Sequence, residues 1–201
     1  MSEAYALDEE PLFTYADYKA WELKPGERFE LIDGIAYAMA APNTEHQHIA
    51  ALLTTEFFTF LKGKPCRVFP APFDVRLFYA EDESDDTVVQ PDLVVICDPG
   101  KIGEEGCRGA PDLVIEILSP SNTAIEMERK LNLYKDAAVR EYWIVDPTHR
   151  HISIYRTKNG AYYMESHKIQ DTARSAVLNG LAIPLSDIFA EQSQLTANNT
   201  Q

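Results

Sequence analysis

The sequence predicts an α+β protein in which a mixed β-sheet is flanked by helices. Three observations carry this. Two short apolar runs, QPDLVVIC at 90–97 and APDLVIEIL at 110–118, each open on Pro-Asp and read as neighbouring strands. Two longer segments, 41–61 and 123–138, place their apolar residues at helical spacing. The order helix, strand, strand, strand, helix, strand, preceded by a hairpin, is that of an α+β fold with a mixed sheet.

Each element has its own justification. Residues 14–21 (TYADYKAW) predict a short helix, and FELIDGIAYAM predicts a hairpin turning at Asp33-Gly34, a two-residue turn signal. In the helix that follows, Ile49, Leu52, Leu53, Phe57 and Phe60 define the core face. Glu45 lies on that face in the first turn, either as an acid favoured by the helix N-terminus or as a site residue. Residues 66–79 read as a strand broken by two prolines, with Asp74 and Arg76 sharing a face as a pair at an edge. YAEDESDDT reads as a solvated acidic loop. Thr123, with Glu126 three residues on, marks a capping box opening the second long helix. Its apolar stripe is Met127, Leu131, Tyr134 and Ala138, and Lys130 borders that stripe. EYWIVDP is a further core strand. HISIYR and AYYMES are strands around Lys158-Asn159-Gly160, and LNGLAIPLSDIF closes the fold. Residues 1–190 are expected to form one domain, and 191–201 a polar, disordered tail.

Composition bounds the function. Apolar content of 45% and charged content of 25% are those of a globular protein. Cys66, Cys97 and Cys107 are odd in number and form no C-x-x-C pair, which predicts a reduced, cytoplasmic protein. The N-terminus is acidic and lacks the apolar core of a signal peptide. No apolar run approaches the roughly 20 residues that span a bilayer, so no membrane partner is expected. The net charge of −14 argues against broad electrostatic affinity for nucleic acid or anionic lipid.

The chemistry centres on Glu116, a carboxylate inside the apolar run DLVIEIL. An unpaired buried charge is costly, so this side chain is expected to meet something specific. Strand parity places Asp112, Val114, Glu116 and Leu118 on one face. If the two Pro-Asp strands pair antiparallel around a loop at 97–111, Asp92 falls opposite Glu116, and Ile96 opposite Asp112. Directly opposed residues have Cβ atoms ~4.5–5.5 Å apart, close enough for two carboxylates to hold one cation. Asp112 and Glu116 sit about 13 Å apart along one extended strand and cannot share a metal. Hard oxygen ligands in a small, partly hydrated set favour Mg²⁺ or Mn²⁺. A zinc site built on His46-x-His48 or His149-x-His151 lacks a third and fourth ligand at suitable spacing.

Asp92, a 23-residue gap, and then Glu116-Ile117-Leu118 resemble the PD-(D/E)XK nuclease signature. FELIDG, PNTEHQHI, FDVRL, PDLVVI, PDLVIEILSPSN, the R-K-L-x-L-Y helix and EYWIVDP together resemble the Uma-type restriction-endonuclease family over residues 14–189. The resemblance implies a restriction-endonuclease-like sheet and Mg²⁺- or Mn²⁺-dependent hydrolysis of nucleic-acid phosphodiesters, DNA being the expected substrate. It implies Asp92 and Glu116 as the metal-holding, catalytic carboxylates. The superfamily lysine usually stands two residues after the glutamate. Leu118 occupies that place here, and Lys130 on the following helix is the matching candidate, either handling the attacking water or stabilising the transition state. Glu45 matches the superfamily's accessory acid. Asp74, Gln47 and Asp112 are secondary candidates, Gln47 as a residue that orients water. Cutting both strands needs two active sites, so a homodimer is expected. Two other classes stay open. One is a catalytically silent nucleic-acid- or protein-binding module, and the other a phosphodiesterase for small substrates, which needs little surface charge.

Overall fold

The computed structural model describes residues 12–120, 122–158 and 161–189. The segment 1–11, residues 159–160 of the expected turn and the tail expected at 191–201 lie outside the described residues. In chain order the elements are α1 (Tyr15–Lys19), β1 (Phe29–Ile32), β2 (Ile35–Ala38), α2 (Thr44–Leu61), β3 (Arg67–Pro70), β4 (Val75–Arg76), β5 (Val88–Val89) and β6 (Leu93–Ile96). After a 3-10 turn come β7 (Ile102–Gly103), β8 (Gly106–Arg108), β9 (Leu113–Ile117), α3 (Ala124–Asp136), β10 (Glu141–Asp146), β11 (His151–Lys158) and β12 (Ala161–Lys168). The chain then forms β13 (Thr172–Arg174), β14 (Ala182–Pro184) and α4 (Leu185–Phe189).

The central sheet has the order β12-β11-β10-β9-β6-β3. Strand β10 runs parallel to β9, and the other neighbouring pairs are antiparallel. Strand alternation sorts its residues between two cores. Leu93, Val95, Leu113, Ile115, Ile117, Trp143 and Val145 pack against Ile49, Leu53, Phe57 and Leu61 of α2. Val94, Ile96, Val114, Tyr142 and Ile144 face the other way, onto Leu133 and Tyr134 of α3 and onto Ile32, Val75, Val89 and Cys107. Those last four belong to or adjoin a second sheet, ordered β2-β1-β5-β4-β8-β7. Glu116 therefore emerges between the central sheet, α3 and the second sheet.

The N-terminal hairpin forms where its turn signal places it. Asp33 (φ 51°) and Gly34 (φ 75°) both take the left-handed conformation that a tight two-residue hairpin needs. Gly106 is needed for a different reason: a Cβ there would lie 2.2 Å from the Asp74 carbonyl oxygen. That close approach lets β8 run beside β4, with the Cys107 amide donating to the same oxygen.

Several expectations are corrected. Cys66 and Cys97 form a disulfide across β3 and β6, leaving Cys107 as the free, buried thiol among the described residues. An odd count does not exclude one bridge, and only the β3–β6 register brings these two cysteines face to face. Asp74 and Arg76 do not pair at an edge. Strand β4 lies between β5 and β8, and Arg76 donates to the buried Asp85 from Nε at 2.9 Å and also from Nη2. The acidic loop is thus not wholly solvated, because Asp85 is drawn in as counter-charge to Arg76. On α2, Leu52 and Phe60 are only partly buried. On α3, Thr123 accepts from the Glu126 amide at 3.2 Å, while the Glu126 carboxylate accepts from Asn122 at 3.0 Å, so the expected capping box is not reciprocal. Ala138 lies past the helix end in a left-handed conformation (φ 59°), and Leu133 fills the core there instead.

Candidate active site

Strands β6 and β9 pair with Leu93 opposite Ile115, Val94 opposite Val114 and Val95 opposite Leu113. Continuing that register by one step sets Asp92 opposite Glu116. Both acids line a cavity of about 380 Å³. Its floor is Asp92, Glu116 and Ile117. One wall is the hairpin, which presents Arg28, Glu30, Ile32 and Tyr37, and the other is the first two turns of α3 with Glu126, Arg129 and Lys130. Residues 28, 30 and 32 alternate onto one face of their strand, and Tyr37 is the cross-strand partner of Glu30 on that same face.

Lys130 reaches across the cavity. Its ammonium donates to Glu116 Oε1 at 2.9 Å and to Glu30 Oε1 at 3.0 Å. Tyr134, one turn further along α3, donates to the same Glu116 oxygen at 2.6 Å. The Gln90 amide donates to Glu30 Oε1 at 3.0 Å, which ties the hairpin to the strand before β6. Asp92 Oδ2 accepts from the Ile117 amide at 2.7 Å and bonds His46 Nε2 at 3.1 Å. His46 is held by the first turn of α2, where Asn43 caps the helix by accepting from the His46 amide. Among the described residues, Glu116 Oε2 and Asp92 Oδ1 make no hydrogen bond.

The electrostatics follow from this crowding. Burial would lower the Lys130 ammonium, but Glu116 and Glu30 override it and hold the lysine well above its ordinary value. Lys130 is therefore a fixed positive charge and not a base in this arrangement. Burial pushes the Glu116 carboxyl up, Lys130 pulls it back, and the charges of Asp92 and Glu30 push it up again, with a net upward shift. Burial also acts to lower His46, yet the Asp92 carboxylate, with Glu116 behind it, leaves the imidazole above its usual range.

The other sequence candidates lie elsewhere. Glu45 and Gln47 are exposed on α2 and do not line the cavity; their neighbour His46 takes the inward position, because the helix turns that residue toward Asp92. Asp74 accepts from Gln90 at 2.7 Å and Tyr18 at 3.3 Å, and burial pushes its carboxyl up. Asp112 accepts from the Cys97 amide at 2.7 Å and from Arg140 at 3.0 Å, outside the cavity. Sequence reasoning missed Glu30 and His46. Glu30 carried a signal, being an acid at the second position of an apolar hairpin strand, the same anomaly that singled out Glu116.

A divalent cation fits what is present. Among the described residues no group of three His, Cys, Asp or Glu side chains converges to hold a metal. Mg²⁺ uses one or two carboxylates and keeps its remaining positions for water and phosphate, so the Asp92–Glu116 pair, each with one uncommitted oxygen, matches its needs. Zinc, which takes three or four protein ligands, does not match.

A mixed sheet with α2 and α3 packed on opposite faces is a restriction-endonuclease-like fold. The crystal structure of a putative nuclease belonging to DUF820 from Anabaena variabilis has the same fold, with a TM-score of 0.69 at 19% identity, covering 89% of this chain and 98% of that one. The family model Uma2, described as "Putative restriction endonuclease", matches residues 15–186, and the chain belongs to that family. The uncharacterized protein slr1290 of Synechocystis sp. is 27% identical over 163 residues, covering 80% of this chain and 83% of that protein. Among the described residues no helix is long and apolar enough to cross a membrane.

Proposed function

We propose that the protein is a metal-dependent endonuclease that hydrolyses nucleic-acid phosphodiesters, with DNA as substrate and Mg²⁺ or Mn²⁺ as cofactor. The observation that carries this reading is the opposition of Asp92 and Glu116 at the cavity floor, with Lys130 hydrogen-bonded to Glu116 above them. Family membership supports it. Asp92 and Glu116 would hold the cation. A bound divalent ion lowers the pKa of its water and stabilises charge on the phosphoryl oxygens.

The chain's own residues supply the rest. Lys130, fixed between two carboxylates and kept protonated, offers an ammonium to the negative charge that builds on the phosphate. Tyr134 and Glu30 hold Glu116 and Lys130 in register. His46 and the Ile117 amide fix the Asp92 carboxylate, leaving its other oxygen for the ion. The cavity lining sets Arg28, Arg129 and Lys130 against Glu30, Asp92, Glu116 and Glu126, so a bound divalent cation would add positive charge where an acidic protein must attract phosphate.

Plasmid nicking tests the proposal. Mg²⁺ or Mn²⁺ should support conversion of supercoiled to open-circular DNA, chelator should stop it, and Glu116→Gln should abolish it. Cleavage that survives Glu116→Gln in a clean preparation overturns the assignment. The modest cavity volume favours a second reading, a small phosphodiester as substrate. Turnover of a small-phosphodiester panel with intact plasmid would select it.

A further inference from the structure

Two arginines in the cavity have no role in the chemistry above. Arg28 comes from the residue just before β1, and Arg129 from the second turn of α3. The chain carries 32 acidic residues against 18 basic ones, and its two buried arginines are each matched by a carboxylate: Arg76 by Asp85, and Arg156 by Glu141 and Glu165. Arg28 and Arg129 form no ion pair among the described residues, although Glu30, Asp92, Glu116 and Glu126 line the same cavity. Their guanidinium donors are left uncommitted beside four acids.

Arg129 is also pre-positioned. Its guanidinium lies 4.3 Å from the centre of the Tyr37 ring, a cation–π contact that holds it against the hairpin. Tyr37 belongs to the hairpin, as does Arg28 just before β1, so one arginine from the hairpin side and one from α3 line the same cavity as the two carboxylates. A planar fork of N–H donors matches phosphate oxygens two at a time, and an ammonium cannot reproduce that match. We propose that Arg28 and Arg129 are phosphate-binding residues that grip a nucleic-acid strand on either side of the scissile bond, so that the grip and the chemistry are carried by separate side chains. This inference rests on the nuclease reading for the position of the scissile phosphate, but it makes a binding claim of its own.

The test is binding without turnover. Fluorescence anisotropy of a labelled single-stranded 12-mer and of its duplex is measured on the Glu116→Gln protein in Ca²⁺. Arg28→Gln and Arg129→Gln should each weaken binding about tenfold, as expected for the loss of a charge-assisted contact. Each should also reduce the slope of log affinity against log salt by about 0.7 for the single strand or 0.9 for the duplex. Arg129→Lys should restore the slope but not the affinity. Arg140→Gln, outside the cavity, should change neither, and both cavity variants should melt cooperatively, Arg129→Gln within a few degrees of the parent for its lost contact with Tyr37. In the otherwise wild-type enzyme, KM should rise while kcat stays within about threefold. Unchanged affinity and slope in both variants would overturn the proposal, as would absence of salt-dependent binding by the parent protein. If wild-type protein fails to nick plasmid while oligonucleotide binding depends on both arginines, the nuclease reading falls and the phosphate grip stands. If plasmid is nicked with normal KM in both variants, the grip falls and the nuclease reading stands.

Discussion

The tetrapeptide Pro-Asp-Leu-Val occurs twice, at 91–94 and 111–114, and its two aspartates do different things. Asp92 stands at the cavity floor opposite Glu116, bonded to His46 and the Ile117 amide. Asp112 closes the far end of the same strand pair, where it accepts from the Cys97 amide and from Arg140. Strands β6 and β9 run antiparallel, so two identical strand starts finish at opposite ends of the sheet. Strand direction, not the local motif, decides which aspartate sits at the site.

The sharpest test of that contrast substitutes both. Asp92→Asn should reduce plasmid nicking by at least about a thousandfold, the several kcal/mol that a lost metal ligand implies, while Asp112→Asn should leave the rate within about twofold. Equal losses would show that the two positions are equivalent. Lys130→Met comes next, with a fall of about a hundred- to a thousandfold in kcat, as for other preorganised donors to developing charge. Mn²⁺ binding by calorimetry should survive it. Without metal the variant should melt lower, because Glu30 and Glu116 lose their shared cation, and Mn²⁺ should recover most of the loss. Failure of Mn²⁺ to bind would make Lys130 structural.

The structural half of the contrast predicts a smaller effect. Asp112→Asn should cost about 1–2 kcal/mol of stability through its amide and Arg140 contacts, a few degrees in Tm for a domain of this size. The smallest effect concerns His46. Its pKa is raised in the folded state, so its bond to Asp92 stabilises the metal-free protein fully below the ordinary imidazole value and is lost as pH rises through the raised one. His46→Gln should flatten that part of the stability–pH curve, measured by denaturant melts in chelator. An identical curve would show that the imidazole does not titrate against Asp92.

How much of this was legible follows from the range of each signal. Alternation and turn chemistry are local, so the hairpin at Asp33-Gly34, the long helices and the β6–β9 register could be read directly. The opposition of Asp92 and Glu116 came from centring a loop, although that loop also folds into β7 and β8. Lys130 was placed by its position beside the buried stripe of α3. The misses are long-range. Glu45 and His46 are neighbours on one helix, and only the packing angle of α2 decides which faces Asp92. The Cys66–Cys97 bridge needs the β3–β6 pairing, and Asp85 is buried only because Arg76 is. Glu30 meets Lys130 across 100 positions of sequence, and strand periodicity does not reach that far.

Glu116 sits on β9, which is bonded on one side to β6 and on the other to β10. The carboxylate end of the site is thus anchored in the middle of a braced slab, whereas Arg28 and Tyr37 belong to the hairpin at the edge of the second sheet, which β1 joins through β5. If the proposed activity holds, exchanging Arg28 and Tyr37 should change which polymers are admitted while leaving the Asp92–Glu116 pair as it is. Variation among homologues in substrate preference should concentrate in the hairpin and spare the slab.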